Sequence, residues 1–318
     1  MKNENEKKRN IRAFIVRRVP DSIFLRVKYR KMTGKRLDLR NPKTFNEKLQ
    51  WLKLHNRKPI YTTMVDKYAV KEYVAALIGE EYIIPTLGVW SHYDEIDFAS
   101  LPNQFVLKCT HDCESVKIIR DKNSINHEDM RLFFEQKLTV NYYYTVREWP
   151  YKKVKPRIIA EEYLADLATQ QIIDYKFFCM NGKPAFLYVS VGLDDHSTAK
   201  ISFYSLGGRE LPFKRNDYAP FHNAKMPASY ELMKEIAGKL AADISAPFVR
   251  VDLYEVNHQV LFSEITFFPC GGFIPFEPEE WDRKLGDLIK LPKKKLIGEK
   301  NENRAIKNIQ SQCDITGI

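Results

Sequence analysis

The chain has 318 residues, 44% of them hydrophobic and 29% charged, with a formal net charge of +10. That size and balance describe a globular protein of two or three lobes and exclude a disordered polyelectrolyte. The excess of positive charge admits a nucleic acid, an anionic membrane surface or a phosphorylated substrate as partner and selects none of them.

Much of the excess sits at the start, where residues 1–36 hold 13 Lys or Arg against three acidic residues. In IRAFIVRRVPDSIFLRVKYR, Ile11, Phe14 and Ile15 lie among basic groups in a weak amphipathic pattern interrupted by Pro20. Two readings stand for it: a solvated helix packed on the main body, or a segment resting on an anionic membrane leaflet. No run of about 18 apolar residues and no signal-peptide core occurs, so the expected location is the cytoplasm, with peripheral contact at the inner face of the cell membrane as the further reading.

Next comes NPKTFNEKLQWLKLH, where Thr44 and Glu47 have the spacing of a capping box ahead of Leu49 and Leu52. MVDKYAVKEYVAALIGEE predicts one more helix, ended near Gly79. Residues 1–80 are therefore expected to form a basic leader and helical front. QFVLKCTH and VKIIRD are short β-prone segments on either side of the polar loop HDCES, EDMRLFFEQKL reads as a surface helix, and an aromatic connection runs through Tyr144 and Trp149 to the β-prone RIIAEEYL. These make up a first α+β lobe over 81–165.

A second α+β lobe, 166–292, opens with IIDYKFFCMNGKPAFLYVSV, in which Asn181-Gly182 fits a hairpin turn. It continues through VGLDDHSTAKISFYSLGGRE and the helix SYELMKEIAGKLAADI to the hairpin VRVDLYEVNHQVLFSEITFFPCGG, and a basic polar tail occupies 293–318. Cysteines at 109, 113, 179, 270 and 312 are too scattered for a disulfide scaffold or a structural zinc cluster.

Alternation in the last hairpin, with a turn over Asn257 to Gln259, pairs Val256 with Val260 and sets Asp252 opposite Glu264, with Arg250 and Thr266 on the same face. Two carboxylates across a ladder repel unless a cation lies between them. Arg250 alone could serve, and so could a divalent metal. Lys108 and Lys176, each within a strand-like segment, either snorkel to solvent or contact phosphate oxygens.

Taken in order, NPKTFNEKLQWLKLH, VDKYAVKEYV, LPNQFVLKCTH, RIIAEEYL, DYKFFCMNGKP and VRVDLYEV with LFSEITFFPCGG resemble the ATP-grasp superfamily, in particular its teichuronopeptide-biosynthesis-like branch associated with surface polysaccharides. The resemblance runs over roughly residues 40 to 275. It implies an α+β ATP-grasp-like fold with the nucleotide between two lobes, an N-terminal helical extension, and ATP and Mg2+ as cofactors. On this resemblance Lys108 and Lys176 contact nucleotide phosphates, the segment Glu161, Glu162, Tyr163 and Leu164 contacts adenine, and Asp252 and Glu264 hold magnesium. Arg250 then steadies a reactive phosphate or tetrahedral intermediate. Thr266 stands where many relatives have asparagine; its neutral oxygen can bind the metal directly or through water.

The larger departure is HDCES, residues 111–115, at the place of a phosphate loop that is often glycine-rich. Asp112 and Glu114 would repel phosphate unless they point outward, meet basic groups or bind metal, while Ser115 could donate to phosphate and His111 could order the loop. Asp194, Asp195 and His196, with Lys200 and Arg209, could orient an anionic acceptor or form a surface loop. The implied activity is that of an ATP- and Mg-dependent carboxylate–amine ligase acting on a surface-polysaccharide precursor, with an amino acid as donor. The alternatives are a sugar kinase or glycosyltransferase, and a nucleotide-binding member of an assembly complex. No specific nucleic-acid motif is present.

Overall fold

A computed structural model describes residues 16–165, 172–192 and 199–293. The chain enters through helix α1 (Asp21–Thr33), whose inner face buries Leu25 and Tyr29. Arg147, itself buried, ties the start of this helix down. Its Nη2 donates to the carbonyls of Val16 and Val19 at 2.6 and 3.1 Å, and its guanidinium lies 4.5 Å from the Phe24 ring. Helix α2 (Phe45–His55) begins with the expected capping box, in which Thr44 accepts from the Glu47 backbone N–H and Glu47 reaches back to Thr44.

The next stretch departs from the single helix expected over MVDKYAVKEYVAALIGEE. It is split into α3 (Ile60–Val65) and α4 (Ala69–Ile78). The break is made by Asp66, whose Oδ1 accepts from the N–H groups of Tyr68 and Ala69, while Arg157 holds its Oδ2 at 2.7 Å. An aspartate that satisfies backbone donors at a helix start favours a new N-terminus over an unbroken helix. Lys67 is thereby turned out of the helix.

Two antiparallel sheets follow. The first, in the order β1-β4-β2-β3, comprises β1 (Thr86–Trp90), β4 (Ile158–Glu162), β2 (Phe105–Cys109) and β3 (Val116–Ile119). Helix α5 (His127–Leu138) covers it, packing Phe134 into a core with Phe105, Leu107 and Ile158. The short helix α6 (Tyr143–Val146) and a 3-10 turn over Trp149–Lys153 lead into β4.

The second sheet, in the order β10-β9-β5-β6-β7, comprises β10 (Gln259–Thr266), β9 (Phe248–Val256), β5 (Ile173–Met180), β6 (Lys183–Val191) and β7 (Lys200–Ser205). The β5–β6 turn is Asn181-Gly182, both at positive φ, as the dipeptide predicted. Helix α7 (Tyr230–Ile244) packs on β5, β6 and β9 through Met233, Ile236, Ala237 and Leu240.

At one end the opposite face of this sheet is aromatic. Phe45 of α2 meets Phe248 edge-on at 5.0 Å, Phe178 stacks on Phe186 at 4.6 Å, and Phe203 on Phe213 at 4.4 Å. Helix α8 (Glu280–Leu288) closes this end beside the small ladder of β8 (Lys214–Arg215) with β11 (Phe276–Glu277). At Gly286 a Cβ would lie 2.2 Å from the Lys43 carbonyl oxygen, so only glycine admits this approach. The remainder of that face is polar and looks toward the first sheet.

Candidate active site

The polar face is built by register. Lys176 on β5 pairs with Asp252 on β9, and Asp252 with Glu264 on β10; Arg250 pairs with Thr266 one step along. The hairpin reaches this pairing by a different route from the one expected. Its turn has two residues, Asn257 and His258, both at positive φ, and Val256 pairs with Gln259, not Val260. With that start, regular alternation would set Ser263 opposite Asp252 and send Glu264 to the α7 side. A bulge at Ser263 absorbs one residue and returns Glu264 to the polar face.

The side chains form one network. Arg250 clamps Asp252 through Nε–Oδ1 at 2.7 Å and Nη2–Oδ2 at 2.6 Å, and Nη2 also donates to Glu264 Oε1 and Thr266 Oγ1, each at 3.0 Å. Lys176 Nζ donates to Asp174 Oδ1 at 2.9 Å and Asp252 Oδ2 at 3.0 Å. Burial works against the charge on Lys176 and Arg250, yet their carboxylate partners hold both well above their ordinary pKa values. Burial would likewise raise the Glu264 carboxyl, but Lys67, Arg250, Lys176 and the Thr266 hydroxyl bring it down to about 2. Glu264 stays charged and sits at the cleft surface, about 31% exposed, whereas Asp252 is fully enclosed.

Across the cleft, Glu161 on β4 is held between Lys108 of β2 and Lys71 of α4, the latter at 2.7 Å; Lys71 also donates to the Ile84 carbonyl. Lys67 Nζ donates to the Asp112 carbonyl of the HDCES loop, and although burial opposes its charge, Cys113, Glu264, Asp112 and Glu161 sustain it. Nearby, Ile84, Val256 and Leu261 are buried together in one apolar cluster that joins the two lobes, with Leu164 and Tyr254 packed against it.

The HDCES loop resolves its own acidity. Asp112 turns inward, its Oδ1 accepting from Glu114 N and Ser115 N and its Oδ2 from Ser115 Oγ. Glu114 points out, 3.7 Å from Lys137, and His111 Nε2 is 3.2 Å from the Lys137 carbonyl. Ser115 is buried with its hydroxyl given to Asp112, so in this arrangement it does not face the cleft. After β4, Leu164 packs on the Ile84, Val256 and Leu261 cluster, whereas Glu162, itself exposed, and Tyr163 line an open pocket with Leu87, Leu101 and Gln104.

Lys200 and Arg209 are exposed on β7 and the turn after it, at the opposite edge of the sheet from β10, and the structure does not bring them to the carboxylates. Asp194, Asp195 and His196 lie outside the described residues, as do residues 1–15 and the tail from 294. Lys67, Lys71 and Glu148 enter the site without having been singled out by sequence. The i, i+4 spacing of Lys67 and Lys71 was the available signal, but in an unbroken helix it reads as a solvated face. Glu148 is buried, which pushes its carboxyl up to about 7, and its backbone carbonyl accepts from Tyr151 N at 3.2 Å.

The donor chemistry fits a nucleotide and one hard cation. Lys71 and Lys108 on the first lobe and Lys176 on the second bring ammonium groups to the polar face, with Lys67 beside the HDCES loop. Glu264, partly exposed, and Thr266 offer oxygens of the kind magnesium takes, with water completing the shell; Asp252 lies behind them with both oxygens on Arg250 and Lys176 and would join a cation only by releasing one of them. Among the described residues there is no group of three or more His, Cys, Asp or Glu that could hold a metal.

The family model for TupA-like ATP-grasp proteins matches residues 47–290, 244 of the 318 residues. No curated protein matches the chain in sequence. Among solved structures it is similar to D-alanine–D-alanine ligase from Helicobacter pylori at 16% identity and TM-score 0.40, over 79% of this chain and 70% of the ligase. A RimK-domain ATP-grasp protein from Sphaerobacter thermophilus is similar at 11% identity and TM-score 0.39, over 74% of this chain and 70% of that one. D-alanine–D-alanine ligase from Bacillus anthracis complexed with ATP is similar at 15% identity and TM-score 0.36, over 64% of this chain and 54% of the ligase. All three scores lie below 0.5, so the identification rests on the family match. The chain belongs to the TupA-like ATP-grasp family and is an ATP-grasp enzyme.

Proposed function

We propose that the protein is an ATP- and magnesium-dependent carboxylate–amine ligase, acting on an acidic saccharide precursor of a surface polymer with an amino acid as donor. The observation that carries the reading is the buried Lys176–Arg250–Asp252–Glu264 network on the second sheet, with Lys71 and Lys108 paired to Glu161 on the first.

Lys67, Lys108 and Lys176 would neutralise the triphosphate and orient it, and Asp252, Glu264 and Thr266 would hold the cation. When bound, magnesium would supply charge neutralisation at the phosphoryl group being transferred. Arg250, kept protonated by Asp252 and Glu264, presents fixed positive charge where negative charge develops on the acceptor carboxylate. In this reading the carboxylate takes the γ-phosphoryl to give an acyl phosphate, and the amine then displaces phosphate to form an amide. The nucleotide's ADP leaves after the first step.

The test incubates purified protein with fractionated polysaccharide precursors, amino acids, ATP and Mg2+, following ADP, phosphate and product mass together. Equal release of ADP and phosphate with an amide product is expected, and hydroxylamine should trap the acyl phosphate when the amine is left out. Stable phosphate on a sugar would move the assignment to a kinase, consumption of a nucleotide sugar to a glycosyltransferase, and ATP binding without turnover to an assembly role.

A further inference from the structure

The break between α3 and α4 closes a circuit of hydrogen bonds around Thr110, the residue that leaves β2 for the HDCES loop. Lys67 N–H donates to the Thr110 carbonyl at 3.1 Å, and Thr110 N–H donates to the carbonyl of Arg157, the residue before β4, at 2.9 Å. Arg157 Nη2 returns to Asp66 Oδ2 at 2.7 Å, and the peptide bond from Asp66 to Lys67 completes the circuit. Thr110 at its centre is fully buried. The ion pair is shielded too, the Asp66 and Arg157 side chains being 7% and 20% exposed, and the guanidinium lies 4.7 Å from the Tyr68 ring. A pair so placed is screened little by salt and is held to one geometry.

Three segments far apart in the chain, 66–67, 110 and 157, are thereby fixed to one another where the loop begins. The loop is closed at its base by Cys109 N–H on the Ser115 carbonyl at 2.9 Å. Its Glu114 and Ser115 N–H groups are occupied by Asp112 Oδ1. A glycine-rich loop turns such groups toward phosphate. Here the positive group brought to the loop is a side chain, Lys67 Nζ, which donates to the Asp112 carbonyl. Because the circuit fixes the Lys67 backbone, it also fixes where that ammonium can reach.

We propose that Asp66 and Arg157 are positioning residues for nucleotide binding: their ion pair sets Lys67 and the HDCES loop against each other, and they act on the triphosphate through the Lys67 ammonium. Asp66 divides its oxygens between the two tasks, Oδ1 taking the N–H groups that start α4 and Oδ2 taking Arg157. Asparagine keeps the first set of bonds and loses the charged one, so Asp66→Asn separates the helix start from the ion pair. The inference rests on the nucleotide site proposed above and is independent of the reaction carried out there.

Two readouts on the full chain test it, with thermal unfolding to show that each variant folds. The first is equilibrium binding of the non-hydrolysable analogue AMP-PNP with Mg2+, beside adenosine, which lacks the phosphates. Asp66→Asn and Arg157→Gln should each weaken AMP-PNP about tenfold, the worth of one charge-assisted hydrogen bond, and leave adenosine unchanged. Arg157→Lys, which keeps the charge without the planar guanidinium, should fall in between, and it decides the matter if Arg157→Gln does not fold. In a Lys67→Met background Asp66→Asn should cause no further loss, because residues that act through one group are not additive, whereas general damage to the fold would add. The second readout is alkylation of Cys113 by iodoacetamide in the nucleotide-free protein, read by peptide mass mapping. Cys113 is exposed on the loop, and Cys270, exposed elsewhere, is the control. Asp66→Asn, Arg157→Gln and Lys67→Met should all speed alkylation of Cys113 and leave Cys270 unchanged. Wild-type AMP-PNP affinity in a folded Asp66→Asn, an equal loss for adenosine, or a full further loss on Lys67→Met would overturn the assignment. If the wild-type chain binds no adenine nucleotide, the nucleotide site falls and Cys113 decides the circuit alone: unchanged alkylation in both Asp66→Asn and Arg157→Gln would overturn its hold on the loop.

Discussion

Asp252 and Glu264 face each other across one ladder yet are bound into the molecule differently, and that difference separates folding from function. Asp252 is fully enclosed, with its oxygens taken by Arg250 and Lys176. Asp252→Asn would leave two buried cations against a neutral amide, and removing one partner of a buried pair costs about 3–5 kcal/mol. Glu264 is partly exposed at the cleft, and glutamine can still accept from Arg250 and Thr266, so Glu264→Gln should cost less stability than Asp252→Asn. Both should weaken magnesium-dependent nucleotide binding. Denaturant unfolding beside equilibrium nucleotide binding, with and without Mg2+, separates the effects, and wild-type magnesium dependence in Glu264→Gln would remove this carboxylate from the metal site. The pH dependence carries a further mark. Glu264 falls from an ordinary 4.5 to about 2 in the folded chain. A carboxylate with a depressed native pKa contributes stability that is complete above the unfolded value and lost as pH falls through the folded one. Between roughly pH 4.5 and 2 the wild type should therefore lose stability more steeply than Glu264→Gln, which thermal midpoints across that range would show.

At the level of elements, the bulge at Ser263 decides which face Glu264 occupies. Deleting Ser263 joins Phe262 directly to Glu264, and the turn-side register then meets the Asp252–Glu264 pair without an extra residue. The shortened strand should fold and retain magnesium-dependent nucleotide binding, with only its local twist reduced. Deleting Ile265 should instead carry Thr266 away from Arg250 and lower binding. Loss of binding on deleting Ser263 alone would show that the bend itself is needed. This hairpin also marks how far sequence could be read. Alternation and the Asn257 turn signal were enough to set Asp252 against Glu264, and Thr44 with Glu47 and Asn181 with Gly182 declared a cap and a turn, because all these depend on residues within a few positions. The two-residue turn and its compensating bulge were hidden, since two register errors that cancel leave the same pair opposed. Lys67 was hidden for a related reason: the break that frees it depends on Asp66 meeting Arg157, 91 residues away.

At the scale of the whole molecule, the unevenness of charge acquires a surface. No helix among the described residues is long and apolar enough to cross a membrane. Leu25, Tyr29 and the Arg147 anchor fix α1 so that Ile23, Arg26, Val27, Arg30 and Lys31, at helical spacing i, i+3, i+4, i+7 and i+8, look outward. Ile23 and Val27 are 52% and 66% exposed, and the three residues between and after them are basic with no acid on that face. Aliphatic side chains flanked only by cations suit the boundary of an anionic bilayer, where each basic residue contributes about 1 kcal/mol and the apolar pair adds burial in the headgroup region. If the protein meets its acceptor at a membrane, it should float with phosphatidylglycerol vesicles and not with phosphatidylcholine vesicles, and added salt should release it because the attraction is screened within a Debye length. Arg26→Ala with Arg30→Ala should lower partition by about tenfold to thirtyfold, from two lost basic contacts, and Val27→Ser should lower it further without altering nucleotide binding. Flotation unchanged in both variants would place any membrane contact on another surface, and equal flotation with both lipids would mark it as non-specific adhesion.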